Sequence, residues 1–123
     1  MRILQEAGAF TAPASGGGTH WAEHLRVSDL SVGTYSVPAG GVDDQEPHTE
    51  DEIYVVTSGR ARLVAGGQSA PVGPGTVIYV PAGEDHHFTG VAEDLSVLVL
   101  FAPAEYARRP GGAQRAEDPG DTA

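Results

Sequence analysis

An all-β sandwich or barrel is the fold class the sequence predicts. Short runs of β-branched and aromatic residues recur along it, Gly/Pro-rich turns separate them, and no stretch keeps a helical period. At 123 residues the chain is of single-domain length and can bury a core of its own.

Residues 1–28 read as an N-terminal arm or edge strand. Ala14–Gly18 is a flexible link within it, and Trp21, flanked by His20 and His24, is an anchor that packs onto the barrel or a neighbouring subunit. The barrel itself is expected over residues 29–103. Leu30–Val37 has strand composition and stops at Pro38-Ala39-Gly40-Gly41. A second strand runs from Glu46 to Val56, and Thr57-Ser58-Gly59 turns the chain. Arg60–Ala65 returns with Ala61, Leu63 and Ala65 on one face, and Gly66-Gly67 closes that hairpin. Ala70–Val72, Thr76–Val80, His86–Val91 and Leu95–Phe101 follow, giving seven or eight short strands. Leu95–Phe101 (LSVLVLF) is apolar nearly throughout, as a strand buried on both faces requires. Beyond it, Ala104–Arg109 has the composition for one helical turn. Residues 110–123 are Gly, Pro and charge, so 104–123 is expected to be a largely disordered tail.

Composition narrows the function classes. Seventeen acidic residues against seven Lys and Arg give a net charge of −10, so a nucleic-acid partner is not expected. The absence of cysteine removes thiolate metal sites, cysteine nucleophiles and disulfides. No apolar run reaches the roughly 18–20 residues of a membrane span, and the N-terminal MRILQEAGAF lacks the apolar core of a secretory leader. A cytoplasmic location is expected.

Chemistry concentrates in two stretches. Asp43–Gly59 (DDQEPHTEDEIYVVTSG) sets one histidine among six carboxylates, with the frame H-x3-E-x6-G at His48, Glu52 and Gly59. In a straight strand Glu46, His48, Glu50 and Glu52 share one face, and imidazole with carboxylate can hold a divalent cation. Pro74–His87 (PGTVIYVPAGEDHH) has the frame P-G-x5-P-x-G-x2-H, ending at His86.

In order and spacing these frames resemble the two conserved motifs of the cupin superfamily, G-x5-H-x-H-x3,4-E-x6-G and P-G-x5-P-x-G-x2-H-x3-N. The resemblance covers about residues 30–102 and is nearest to small single-domain cupins with a Q-x-P-H-x-E-D-E signature, here Gln45 to Glu52. Two positions depart from the pattern: Glu46 stands where the first histidine falls, and Gly90 where the closing asparagine falls. The resemblance implies a double-stranded β-helix, or jelly-roll, barrel with His48, Glu52 and His86 as metal ligands. Glu46 or Gln45 is the fourth, or the site keeps three ligands and more water. Glu50 is a lower-ranked candidate.

Two imidazoles and one carboxylate with open positions suit Fe, Mn, Ni or Zn. Tyr54 and Val56 share the parity of Glu52, and Phe88 that of His86, so they line the expected pocket, with Tyr35 beside them. The reading is a metal-dependent cupin acting on a small organic molecule, with dioxygenase-type chemistry first. An isomerase, epimerase or lyase, with Tyr54, Glu46 or Glu50 moving a proton, is the alternative. A non-catalytic binding protein is the third reading. A homodimer is expected, with Trp21 and Leu95–Phe101 as contact points.

Overall fold

The structure, a computed structural model, describes residues 1–14, 17–43, 45 and 47–108. Part of the Ala14–Gly18 link and the whole of 110–123 lie outside the described residues, as do Asp44 and Glu46. Among the described residues there is no helix. Six strands occur: β1 (His20–Val27), β2 (Leu30–Val37), β3 (Asp51–Ala65), β4 (Gln68–Val72), β5 (Val77–Val80) and β6 (His86–Ala102). All pair antiparallel, in the order β1-β2-β6-β3-β4, with β5 also paired to β3. This is the all-β jelly roll expected from the sequence.

The strands are fewer and longer than expected. Thr57-Ser58-Gly59 does not turn the chain, because β3 runs through it. The burial pattern explains how. Glu52, Tyr54 and Val56 point inward on even numbers, and Gly59, Ala61 and Leu63 on odd ones. An extra residue is absorbed between them, and the β3–β6 register shifts from Val56 to Arg62. This is bulging, which bends a strand and changes its face without ending it. β6 makes the matching change: His86 and Phe88 are buried at one phase, then Val91, Leu95, Val97, Val99 and Phe101 at the other. What the sequence shows as two strands around Ala92–Asp94 is therefore one.

Gly59 sits at the centre of the bend. Its φ is +87°, and a Cβ there would meet the carbonyl oxygen of Asp94 at 2.2 Å. The hairpin at Gly66-Gly67 forms as expected, with Ala65 paired to Gln68.

Tyr35, Tyr54, Val56, Phe88, Leu95, Val97, Val99 and Phe101 make the centre of the core. Each such side chain contributes about 1.5–3 kcal/mol by leaving water. Leu95–Phe101 lies between β2 and β3, with Leu95, Val97, Val99 and Phe101 in the core and Leu98 and Leu100 half-buried on the other face. Trp21 packs inward as well, edge-on to Phe101 at 6.3 Å and over Gly33, where any Cβ would strike the indole. The N-terminal arm docks on the same sheet. Gly8 donates to Thr34 Oγ1 at 2.7 Å, and its carbonyl accepts from Ser96 Oγ at 2.6 Å and from Thr57 Oγ1.

Gly59→Ala combines a left-handed backbone with a backbone collision. It should lower unfolding free energy by about 2–3 kcal/mol, read as a reduced denaturant midpoint at unchanged slope.

Candidate metal centre

Two strand ends and one loop build the site. Glu52, the second residue of β3, pairs with Val80 at the end of β5. The chain then turns through Pro81–Asp85 and enters β6 at His86. Two bonds join this turn to the first motif: Gly83 N donates to the carbonyl of His48 at 2.8 Å, and Ala82 N donates to Asp51 Oδ1 at 2.9 Å. Gly83 adopts φ +80°, a conformation that favours glycine, and so its N–H can reach His48. The two sequence frames are thus stitched together by one backbone–backbone bond and one backbone–carboxylate bond.

Potential donor atoms of His48, Glu52 and His86, one from each side chain, lie within 4.8 Å of one another, and all three side chains are buried. His86 Nδ1 is 2.9 Å from the Glu84 carbonyl, so Nδ1 carries the proton and donates. Nε2 then faces Glu52 Oε1 at 3.1 Å and the phenol oxygen of Tyr54 at 2.9 Å. His48 turns Nδ1 toward Glu52 Oε1 at 3.8 Å. Among the described residues, His48 Nδ1 and both oxygens of Glu52 make no standard hydrogen bond, and the close polar neighbour of Glu52 Oε1 is His86 Nε2. A buried carboxylate without partners costs several kcal/mol unless a cation balances it. Two imidazoles and one such carboxylate are the donor chemistry of Fe, Mn, Ni or Zn, so the residues fit a divalent metal.

Charge and burial tune the surrounding groups. Burial alone lowers the pKa of His86, but the contact and charge of Glu52 outweigh it and leave the imidazole raised from its usual 6.5. Burial, then the negative charges of Glu52 and Asp43, push the Tyr54 phenol well above 10, so it keeps its proton.

Tyr54, expected at the site by parity, is there and fully buried. Its hydroxyl also donates to Gln45 Oε1 at 3.0 Å, while Gln45 Nε2 donates to Asp43 Oδ2 at 2.8 Å. Both ends of the Gln45 amide are therefore engaged with protein partners. Glu46 lies outside the described residues. Glu50 departs from its expected place: Thr49 and Glu50 form a bend before β3, so strand alternation does not extend to them. The Glu50 carboxylate is buried and accepts from Tyr106 N at 2.5 Å and Arg108 N at 2.9 Å. Of the other histidines, His87 is exposed, and His24 Nε2 contacts Thr34 Oγ1 at 2.6 Å, away from the centre.

Two residues at the site were not foreseen. Asp43, one of the six carboxylates of the first stretch, is buried and accepts from Tyr35 OH at 2.6 Å and Phe88 N at 2.8 Å. The need of a buried phenol for an acceptor, applied to Tyr35, is the signal that could have found it. Glu105 is the other: its Oε2 is 2.9 Å from His48 Nε2. No spacing in the sequence announces it.

The family model described as "Cupin domain" matches residues 33–102. An uncharacterised protein of Streptomyces coelicolor is 48% identical over 83 residues, 68% of this chain and 79% of that protein. Among solved structures, KdgF from a Halomonas species is similar at 23% identity, covering 70% of this chain and 79% of the other, with a TM-score of 0.64. An RmlC-like cupin with a double-stranded β-helix from Methanocaldococcus jannaschii has 13% identity, covers 77% and 89%, and has a TM-score of 0.63. The DMSP lyase DddQ of Ruegeria pomeroyi has 20% identity, covers 82% and 54%, and has a TM-score of 0.65.

Glu52→Gln removes the unbalanced charge and should leave metal-free thermal stability equal to or above that of the parent. The parent alone should gain about 2.7 kcal/mol at a cation concentration a hundred times the dissociation constant. Thermal unfolding with and without Mn²⁺ reads both effects.

Proposed function

Because this chain belongs to the cupin family, we propose that it is a metal-dependent enzyme acting on a small organic molecule, with dioxygenase-type chemistry. The observation that carries this is the buried Glu52 carboxylate, set between the imidazoles of His48 and His86 and without a standard hydrogen bond among the described residues. Those three residues would hold a mononuclear divalent cation. Glu46 is proposed as a fourth donor, since a second carboxylate would balance the charge of that cation and favour Fe or Mn. A cation held there would supply Lewis-acid or one-electron chemistry toward a substrate oxygen atom and dioxygen.

The chain's own groups do the rest. Phe101 packs on the His48 ring at 4.5 Å and Phe88 on Tyr54 at 5.0 Å, so apolar walls keep water from the donors. Tyr54, which donates its phenol proton to Gln45, stands beside His86, and that proton would turn from Gln45 Oε1 to a substrate oxygen.

That phenol also favours a second reading, an isomerase, epimerase or lyase in which Tyr54 passes a proton to the substrate, with Glu46 as a further proton carrier. The lyase name of DddQ accords with it. In either reading residues 29–103 form the working barrel, the location is cytoplasmic, and the protein is a homodimer. A monomer by sedimentation would exclude the last point.

Iron-loaded protein should consume O2 when offered a panel of catechols, diketones and thiols. No uptake across the panel, with sugar or keto-acid conversion by the Mn- or Zn-loaded protein, moves the assignment to acid–base chemistry. In that case Tyr54→Phe should lower kcat by about 10²–10⁴ with little change in KM.

A further inference from the structure

The segment after β6 is not a loose end. It bends back over the first motif, and two of its side chains, Glu105 and Tyr106, reach His48. Arg26 Nη1 on β1 donates to the Glu105 carbonyl at 3.0 Å, and Glu105 N donates to Ser31 Oγ on β2 at 2.8 Å. The Glu50 carboxylate accepts from Tyr106 N and Arg108 N. The Tyr106 ring stacks on the His48 imidazole at 4.8 Å. Three separate parts of the barrel thus hold Glu105 in one place, where its buried carboxylate meets His48 Nε2 at 2.9 Å.

An ionised carboxylate only accepts hydrogen bonds, so this contact requires a proton on Nε2. In the neutral ring the lone pair then sits on Nδ1, which is buried, makes no hydrogen bond among the described residues and faces Glu52. His86 reaches the complementary arrangement through a backbone carbonyl: Glu84 takes its Nδ1 proton, and Nε2 faces Glu52.

We infer that Glu105 is a positioning residue for the metal centre, fixing His48 as the Nε2–H tautomer so that Nδ1 is presented toward Glu52 and His86. The inference rests on the metal reading above. Carboxylates in this relation to a ligating histidine orient the ring and raise its basicity, and losing one costs about 10–100-fold in metal affinity.

The test has two readouts. The first is histidine ¹⁵N NMR of metal-free protein at about pH 8, where ordinary imidazoles are neutral. The wild type should show His48 as a single Nε2–H tautomer. Glu105→Ala should show a mixture, with His86 unchanged as Nδ1–H. The second is Co²⁺ affinity and absorption spectrum by chelator competition. Affinity should fall about 10–100-fold in Glu105→Ala, less in Glu105→Gln, which still offers an oxygen acceptor, and should be largely restored in Glu105→Asp.

An Nδ1–H tautomer at His48 in the wild type overturns the inference, as do unaltered Co²⁺ affinity and spectrum in both the Ala and Gln variants. If Glu105→Ala fails to fold, the near-isosteric Gln variant decides. Wild-type protein that binds no Co²⁺ overturns the metal function and this positioning role with it. The tautomer readout then still shows whether Glu105 sets the ring, which separates a failed metal reading from a failed Glu105–His48 contact.

Discussion

Closure of the β3–β6 ribbon is the constraint on which the rest depends. Glu52 pairs with Phe101 at one end of that ladder, and His86 pairs with Ala65 at the other. A flat ladder would hold Glu52 and His86 about 40 Å apart. They stand 3.1 Å apart instead, so the ribbon has curled until its ends meet. The bulging around Gly59 and the phase change in β6 make the curl, and β5 with its following turn bridges the gap. The metal centre is therefore the seam where the barrel shuts.

A seam of this kind gathers groups that an ordinary core would exclude. Glu52 is carried inward by a strand whose next inward residues are Tyr54 and Val56, and among the described residues it makes no standard hydrogen bond. The polar groups around it are supplied in a chain: Asp43 holds Gln45, Gln45 holds Tyr54, and Tyr54 meets His86. On the other side Glu105 meets His48. Both imidazoles are thus braced from outside while their inward atoms face one carboxylate.

Much of this was legible in the sequence, and the exceptions share a cause. His48, Glu52 and His86 were readable because the two frames that hold them resemble the cupin motifs; Glu52 and His86 lie at the starts of β3 and β6, and His48 just before β3. Tyr54 followed by parity alone. Glu50 did not, because parity holds only inside a strand and β3 begins at Asp51. Thr57-Ser58-Gly59 carried the composition of a turn, yet a turn and a bulge both ask for a residue with positive φ, so composition does not separate them. Asp43 and Glu105 were hidden for a third reason. Their partners are 8 and 57 positions away, Tyr35 and His48 respectively, and no local pattern records a contact of that kind.

The clamp of Glu50 on Tyr106 and Arg108 has a practical corollary. It fixes the point at which the chain leaves the barrel directly beside the seam. A sequence joined directly after Arg108 would be tethered close to the donor atoms. A polyhistidine purification handle there would bring spare imidazoles within reach of the same cation, and metal content measured on such a preparation would report the handle along with the protein. An affinity handle at the other terminus, or one that is cleaved away, keeps the two apart.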